Sequence, residues 1–193
     1  MRFSQTEIKD LLRAWLLISL AFAIAFHGFS LSIKFLIPFA ISAFTAGIGF
    51  LLHELAHKAV AQKYGCWAEF RAFDQMLWLA VGLSFFGVIF AAPGAVMIRG
   101  LISARKHGLI ALAGPATNIV LGLGFLAVAV LSPAQLMMQT GALGARINFW
   151  LGLFNMLPFM GLDGTKVLLW NKTVYALALI LSIILVFGSS WII

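Results

Sequence analysis

The chain has 193 residues, of which 63% are hydrophobic and only 10% charged, with a mean hydropathy of +1.05. That composition excludes an ordinary soluble globular domain and points to an integral membrane protein. The net charge of +7 does not signal nucleic acid, because the thirteen Lys and Arg lie between long apolar runs, where membrane proteins keep their orienting charges.

A helix needs about 20 apolar residues to cross a bilayer core. The first candidate, about 11–33, follows a basic start (Arg2, Lys9, Arg13). It is long and has no clean small-x-small cleavage site, so it reads as a retained membrane helix rather than a signal peptide. The second covers about 36–62. After it, W-A-E-F-R-A-F (67–73) alternates partly in the manner of a strand, and P-G-A-V-M-I (93–98) is a short β-prone run. Between them M-L-W-L-A-V-G-L-S-F-F-G-V-I-F-A-A (76–92) is marginally short for a span and carries two glycines. Three more apolar stretches follow at about 109–131, 143–160 and 173–193, the middle one interrupted by Arg146, Asn148 and Asn155. The pattern predicts an α-helical polytopic membrane protein: one domain over 1–193, five to six transmembrane helices and a small membrane-associated β element. The single cysteine, Cys66, excludes an intramolecular disulfide and any Cys-rich metal site.

Basic residues orient such a chain. With the N-terminus cytoplasmic, the first helix runs outward and the second returns, bringing His53, His57, Lys58 and Lys63 toward the cytoplasmic end. If 76–92 enters the membrane and turns back, Arg71, Arg99, Arg105, Lys106, Lys166 and Lys172 also stay inside, and only Lys34 and Arg146 fall outside. A crossing by 76–92 would move five of these to the wrong side. A re-entrant segment is therefore expected, and irregular backbone at membrane depth is tolerated only where it lines protein or a water-filled cavity.

F-L-L-H-E-L-A-H (50–57) then concentrates polarity in an apolar run. His53 and His57 stand at i and i+4, on one helical face a turn apart, and can take adjacent corners of a tetrahedral zinc with Glu54 beside it as a base for water. Ionisable groups inside a span cost at least about 2.5 kcal/mol for an acid at its centre, which argues against chance. A third ligand must come from a small pool. Glu7 and Asp10 precede the first helix, His27 lies at its far end, and Cys66, Glu69, Asp74 and His107 fall in the cytoplasmic connection. Asp163 alone among the acids is attached to a returning helix, which Pro158, Gly161 and Gly164 break near it.

Three motifs together, H53-E-L-A-H57, A113-G-P-A-T-N118 and F154-N-M-L-P-F-M-G-L-D163-G, resemble the site-2 protease family of intramembrane zinc metalloproteases, peptidase family M50. Their order and spacing match the family's three-helix core over about 36–164. The resemblance implies one zinc per chain on His53, His57 and Asp163, Glu54 as catalytic base, and Asn155 near the substrate. Family members often carry further prolines before L-D-G, where this chain has Phe159, Met160 and Gly161. Gly114 and Pro115 read mainly as helix packing, with Pro115 near a helix start; so do Ala43, Gly47 and Gly49. Asn118 is a buried amide available to the catalytic loop or to substrate.

The expected reaction is hydrolysis of a peptide bond in or near a transmembrane segment of a membrane-protein substrate, by a multi-pass protein of the cell membrane whose site opens toward the cytoplasm. An extended substrate is expected to pair with a strand from 67–73 or 93–98. The rivals are a metal-ion transporter or sensor using the same ligands, and a silent relative that only binds membrane segments. Partners are transmembrane substrates and the bilayer, with the oligomeric state left open.

Overall fold

The computed structural model describes residues 1–89, 93–159 and 161–193. The last three residues of 76–92 and Met160 lie outside them. Helix α1 (Gln5–His27) starts at Ser4, whose hydroxyl accepts from the Glu7 N–H, and ends at Gly28. A short 3-10 turn (Ile33–Phe35) opens α2 (Leu36–Ser42); a π turn (Ala43–Gly47) then leads into α3 (Ile48–Lys63) without breaking the rod. Strand β1 (Trp67–Ala72), α4 (Asp74–Ser84) and β2 (Gly94–Arg99) follow. Helices α5 (Ala104–Leu131), α6 (Gln135–Asn155), α7 (Asp163–Trp170) and α8 (Lys172–Ser189) complete the chain.

Among the described residues, three stretches are long and apolar enough to cross a membrane: Ile33–Lys63, Ala104–Leu131 and Lys172–Ser189. Helices α1 and α6 have 23 and 21 residues but carry polar groups along them, Glu7, Lys9, Asp10 and Arg13 in one and Arg146 and Asn148 in the other. The surface of α8 carries exposed Leu177, Ile180, Ile184 and Phe187 at helical spacing, an apolar stripe of the kind that faces lipid. Inside, Leu11, Ile18 and Phe22 of α1 pack with Phe50, Phe70, Leu77 and Ile147. On the other side of α6, Ala145, Phe149 and Leu153 pack with Val186 of α8.

One expectation changes. Helix α5 begins at Ala104, not near 109, because Ser103 caps it at the Lys106 N–H and the polar turn Ala104–His107 is already helical. Pro115 therefore sits well inside the helix, fully buried, rather than near its start. Segment 76–92, expected to enter the membrane and turn back, is described through residue 89. Its helical part ends at Ser84, and α4 has 11 residues, about 16 Å of rise against a core of about 30 Å. Strands β1 and β2 pair antiparallel from Trp67↔Arg99 to Ala72↔Gly94, so the chain leaves and rejoins the hairpin at adjacent residues.

The two edges of this hairpin differ. Antiparallel residue pairs alternate between bonding each other and pointing their N–H and C=O groups outward. On β1 the outward groups are met by side chains: Phe70 N–H donates to Glu7 Oε1 (2.9 Å), Ala72 N–H to Asp10 Oδ2 (3.4 Å), and Ala68 O accepts from Gln62 Nε2 (3.3 Å). Their partners across the ladder, Val96, Gly94 and Ile98, must then point their own main-chain groups away from β1, along the outer edge of β2. Glu7 also pairs with Lys58 of α3, and both side chains are fully buried. Helix α1 thus closes the β1 edge and ties it to α3.

Candidate metal centre

Helix α3 projects His53 and His57 from one face, and α7 begins at Asp163 opposite them. The two Nε2 atoms are 3.0 Å apart, and Asp163 Oδ2 lies 3.3 Å from His53 Nε2 and 3.0 Å from His57 Nε2. Donors bound to one tetrahedral zinc at about 2.0–2.1 Å stand about 3.3 Å from each other, so this triangle has the size of one face of such a shell. All three residues are buried. Gly161 lets the chain turn before α7 with φ +88°, a conformation that favours glycine.

The histidine tautomers follow from their partners. Ile110 O can only accept, so the Nδ1 of His57, 2.7 Å away, carries the proton. Asn118 Nδ2 donates to the carbonyl of Gly49 at 3.2 Å, which turns Asn118 Oδ1 toward His53 Nδ1 at 2.6 Å and protonates that nitrogen too. Both Nε2 lone pairs then face Asp163, as metal-ligating imidazoles require. Gly114 completes the fit: a Cβ there would stand 2.5 Å from the Nε2 of each histidine, in the space between the donors. Two imidazoles, one carboxylate and a reserved space are a donor set suited to zinc.

Around this centre lies a cavity of about 700 Å³. Its wall includes Glu54, Asn155, Lys166 and the β2 residues Gly94, Val96 and Ile98. Glu54 is buried beside His53. Asn155 donates to Leu151 O in its own helix at 3.0 Å, while Asn118 spends both ends of its amide inside the protein. The outer edge of β2 therefore runs along the metal centre, and the closed edge of β1 lies away from it.

Several contributors escape a reading by motif. Gly114 serves the donors directly and not packing alone. Lys166, counted in the sequence only as an orienting charge, donates to Asp163 Oδ1 at 3.1 Å, leaving Oδ2 for the histidines; its i+3 spacing from Asp163 is the signal that finds it. Gly49 was read as packing, and a Cβ on it would overlap the Asn148 amide oxygen. His107 stands in the first turn of α5 and lines the cavity, rather than lying in a connection.

No family model matches the chain, and no solved structure matches it. Two curated proteins that do match carry the name "Putative zinc metalloprotease". MJ0611 of Methanocaldococcus jannaschii is 42% identical over 179 residues, covering 91% of this chain and 90% of its own length. Rip3 of Mycobacterium tuberculosis is 35% identical over 130 residues, 63% of this chain and 29% of its own length. Identity at that level over nearly the whole of both chains, together with a His-His-Asp cluster of metal-binding size, shows that the chain belongs to the zinc metalloprotease family of MJ0611.

Proposed function

We propose that the protein is an intramembrane endopeptidase of the site-2 protease kind, cutting a peptide bond in or near the transmembrane segment of a membrane-protein substrate. One observation carries this reading: the ligand triangle and Glu54 share a cavity with the outer edge of strand β2, in a chain with three apolar helices of spanning length among the described residues. His53, His57 and Asp163 would hold one zinc, which supplies Lewis acidity and lowers the pKa of water at the site. The Glu54 carboxylate takes a proton from the attacking water and delivers it to the leaving amine nitrogen. Asn118 and Ile110 O keep the two Nδ1 protons in place. Asn155, on the cavity wall, lies where it can meet the substrate main chain.

A helical substrate hides its carbonyls in its own hydrogen bonds and must be drawn out before cleavage. The main-chain groups of Gly94 and Ile98 offer an extended substrate a strand to pair with, beside the metal ligands. The pairing of β1 with β2 favours 76–92 as a segment that enters the membrane and returns. With it re-entrant, the basic residues favour a cytoplasmic N-terminus and a site toward the cytoplasmic face of the cell membrane.

The test compares wild type with Glu54→Gln for zinc content and for cleavage of a model transmembrane substrate. Zinc in both, with cleavage about 10²–10⁴-fold slower in the variant, is expected. Equal cleavage overturns the role of Glu54. Zinc held by a wild type that cleaves nothing supports metal sensing or transport instead.

A further inference from the structure

The centre has a polar support that neither the motifs nor the proposed reaction uses. Asn148 of α6 is fully buried, with no ionisable neighbour among its hydrogen-bond partners. Its Nδ2 donates to Gly144 O at 2.9 Å and to Thr45 O, in the π turn, at 3.4 Å. Both are carbonyls and can only accept, so the Asn148 amide is oriented with Oδ1 facing the other way. There it accepts from Asn118 Nδ2 at 3.0 Å. Asn118 Oδ1 in turn accepts the Nδ1 proton of His53. Gly49, one turn before His53, makes room, because a Cβ on it would overlap Asn148 Oδ1.

We infer that Asn148 is a positioning residue for the metal centre. It fixes the Asn118 amide, and through it the tautomer and ring orientation of His53, from the π turn at the head of α3 and from α6. The path is a one-way relay of hydrogen bonds: carbonyls of Gly144 and Thr45, then Asn148, then Asn118, then His53. Each link has its donor and acceptor set by the one before, and at Asn118 the carbonyl of Gly49, which also accepts from Nδ2, holds the amide the same way round. An Asn118 amide that turned over would present its NH2 to His53 and repel the Nδ1 proton, and an Asn148 amide that turned over would present its NH2 to that of Asn118. The relay also explains why two glycines flank the histidines from different helices: Gly49 leaves space for the support and Gly114 for the ion.

This inference rests on the zinc reading above, and its test separates the two. Zinc affinity is measured by competition with a chelator on the full chain in detergent, for wild type, Asn118→Leu, Asn148→Leu and the double variant. Losing an outer partner of a ligating histidine weakens metal binding about 10–100-fold, so Asn118→Leu should fall in that range and Asn148→Leu near its lower end. Because Asn148 acts through Asn118, the double variant should bind no more weakly than Asn118→Leu alone. A general loss of packing would instead multiply the two effects, and that result overturns the proposal. So does an Asn148→Leu affinity within about twofold of wild type. Should Asn148→Leu not fold, Gly49→Ala takes its place, since alanine favours the helix by itself while its Cβ pushes Asn148 Oδ1 aside. It should weaken zinc binding several-fold, and wild-type affinity in it overturns the proposal. A wild type that binds no zinc overturns the metal reading itself, and the relay with it.

Discussion

His57 and Lys58 are neighbours in the chain, yet they serve different sides of α3. On one side Lys58 is buried against Glu7, and Glu7 in turn takes the Phe70 N–H of β1. On the other, His57 and His53 are buried against Asp163, with both Nε2 atoms and one carboxylate oxygen turned to a common point. The first cluster satisfies its charges within the protein and seals a strand edge. In the second, no protein donor among the described residues stands between the three ligand atoms, and the outer edge of β2 faces the same cavity. The contrast teaches that burial of charge is not itself the mark of a site in this chain. What distinguishes the site is that its buried donors converge on a space held clear by Gly114.

Four changes would break or sharpen that contrast. Lys58→Met leaves Glu7 buried without its cation, and losing one partner of such a pair costs about 3–5 kcal/mol. Thermal unfolding in detergent should show the loss, and adding Glu7→Gln, which keeps an oxygen for the Phe70 N–H, should recover much of it. Ile98→Pro removes one outward N–H of β2 and leaves every bond to β1 in place. Cleavage of a transmembrane substrate should fall about tenfold or more with zinc content unchanged, and wild-type cleavage would sink substrate pairing on this edge.

Lys166→Met takes the donor from Asp163 Oδ1 and frees the carboxylate to rotate, so zinc affinity in a chelator competition should drop by up to about tenfold. The smallest effect belongs to the closed side. Ser4→Ala removes the cap of α1, worth about 1 kcal/mol, and the hydroxyl that donates to Glu69. That hydrogen bond, with Arg71 beside it, holds the Glu69 carboxyl below its usual range. A depressed folded-state pKa contributes stability that is present above the unfolded value and lost as pH falls through the folded one. The gap in unfolding temperature between wild type and Ser4→Ala should therefore be widest near neutral pH and narrow under acid toward the cap's share. A gap that widens as pH falls would contradict it.

Much of this architecture could be read before any coordinates. Strands expected over 67–73 and 93–98 form at Trp67–Ala72 and Gly94–Arg99, because β-prone runs bounded by turn residues carry their own signal. The i, i+4 histidines share a helical face by periodicity alone. Asp163 stood out through topology, since charges between apolar runs report which helices return. The span count was less legible: α1 and α6 mix long apolar runs with buried polar groups whose partners, such as Phe70 N–H and Gly144 O, are remote or main-chain atoms that no residue pattern displays. Pro115 was misplaced because a cap at Ser103 extends α5 through a polar turn that hydropathy excludes.

The sequence by itself determined that this chain is apolar, that it carries a zinc-type histidine pair on a helix, and which acid lies at their depth. Those properties depend on composition and on the fixed periods of helix and strand. Only the tertiary structure decided that Oδ2 of Asp163 meets both Nε2 atoms, that Gly114 keeps the space between them, and that Asn118 and Ile110 set the tautomers. It also decided which edge of the hairpin faces the cavity. These are matters of a few tenths of an ångström between atoms far apart in the chain. They depend on how α3, α5, α6 and α7 settle against one another, which local pattern does not encode.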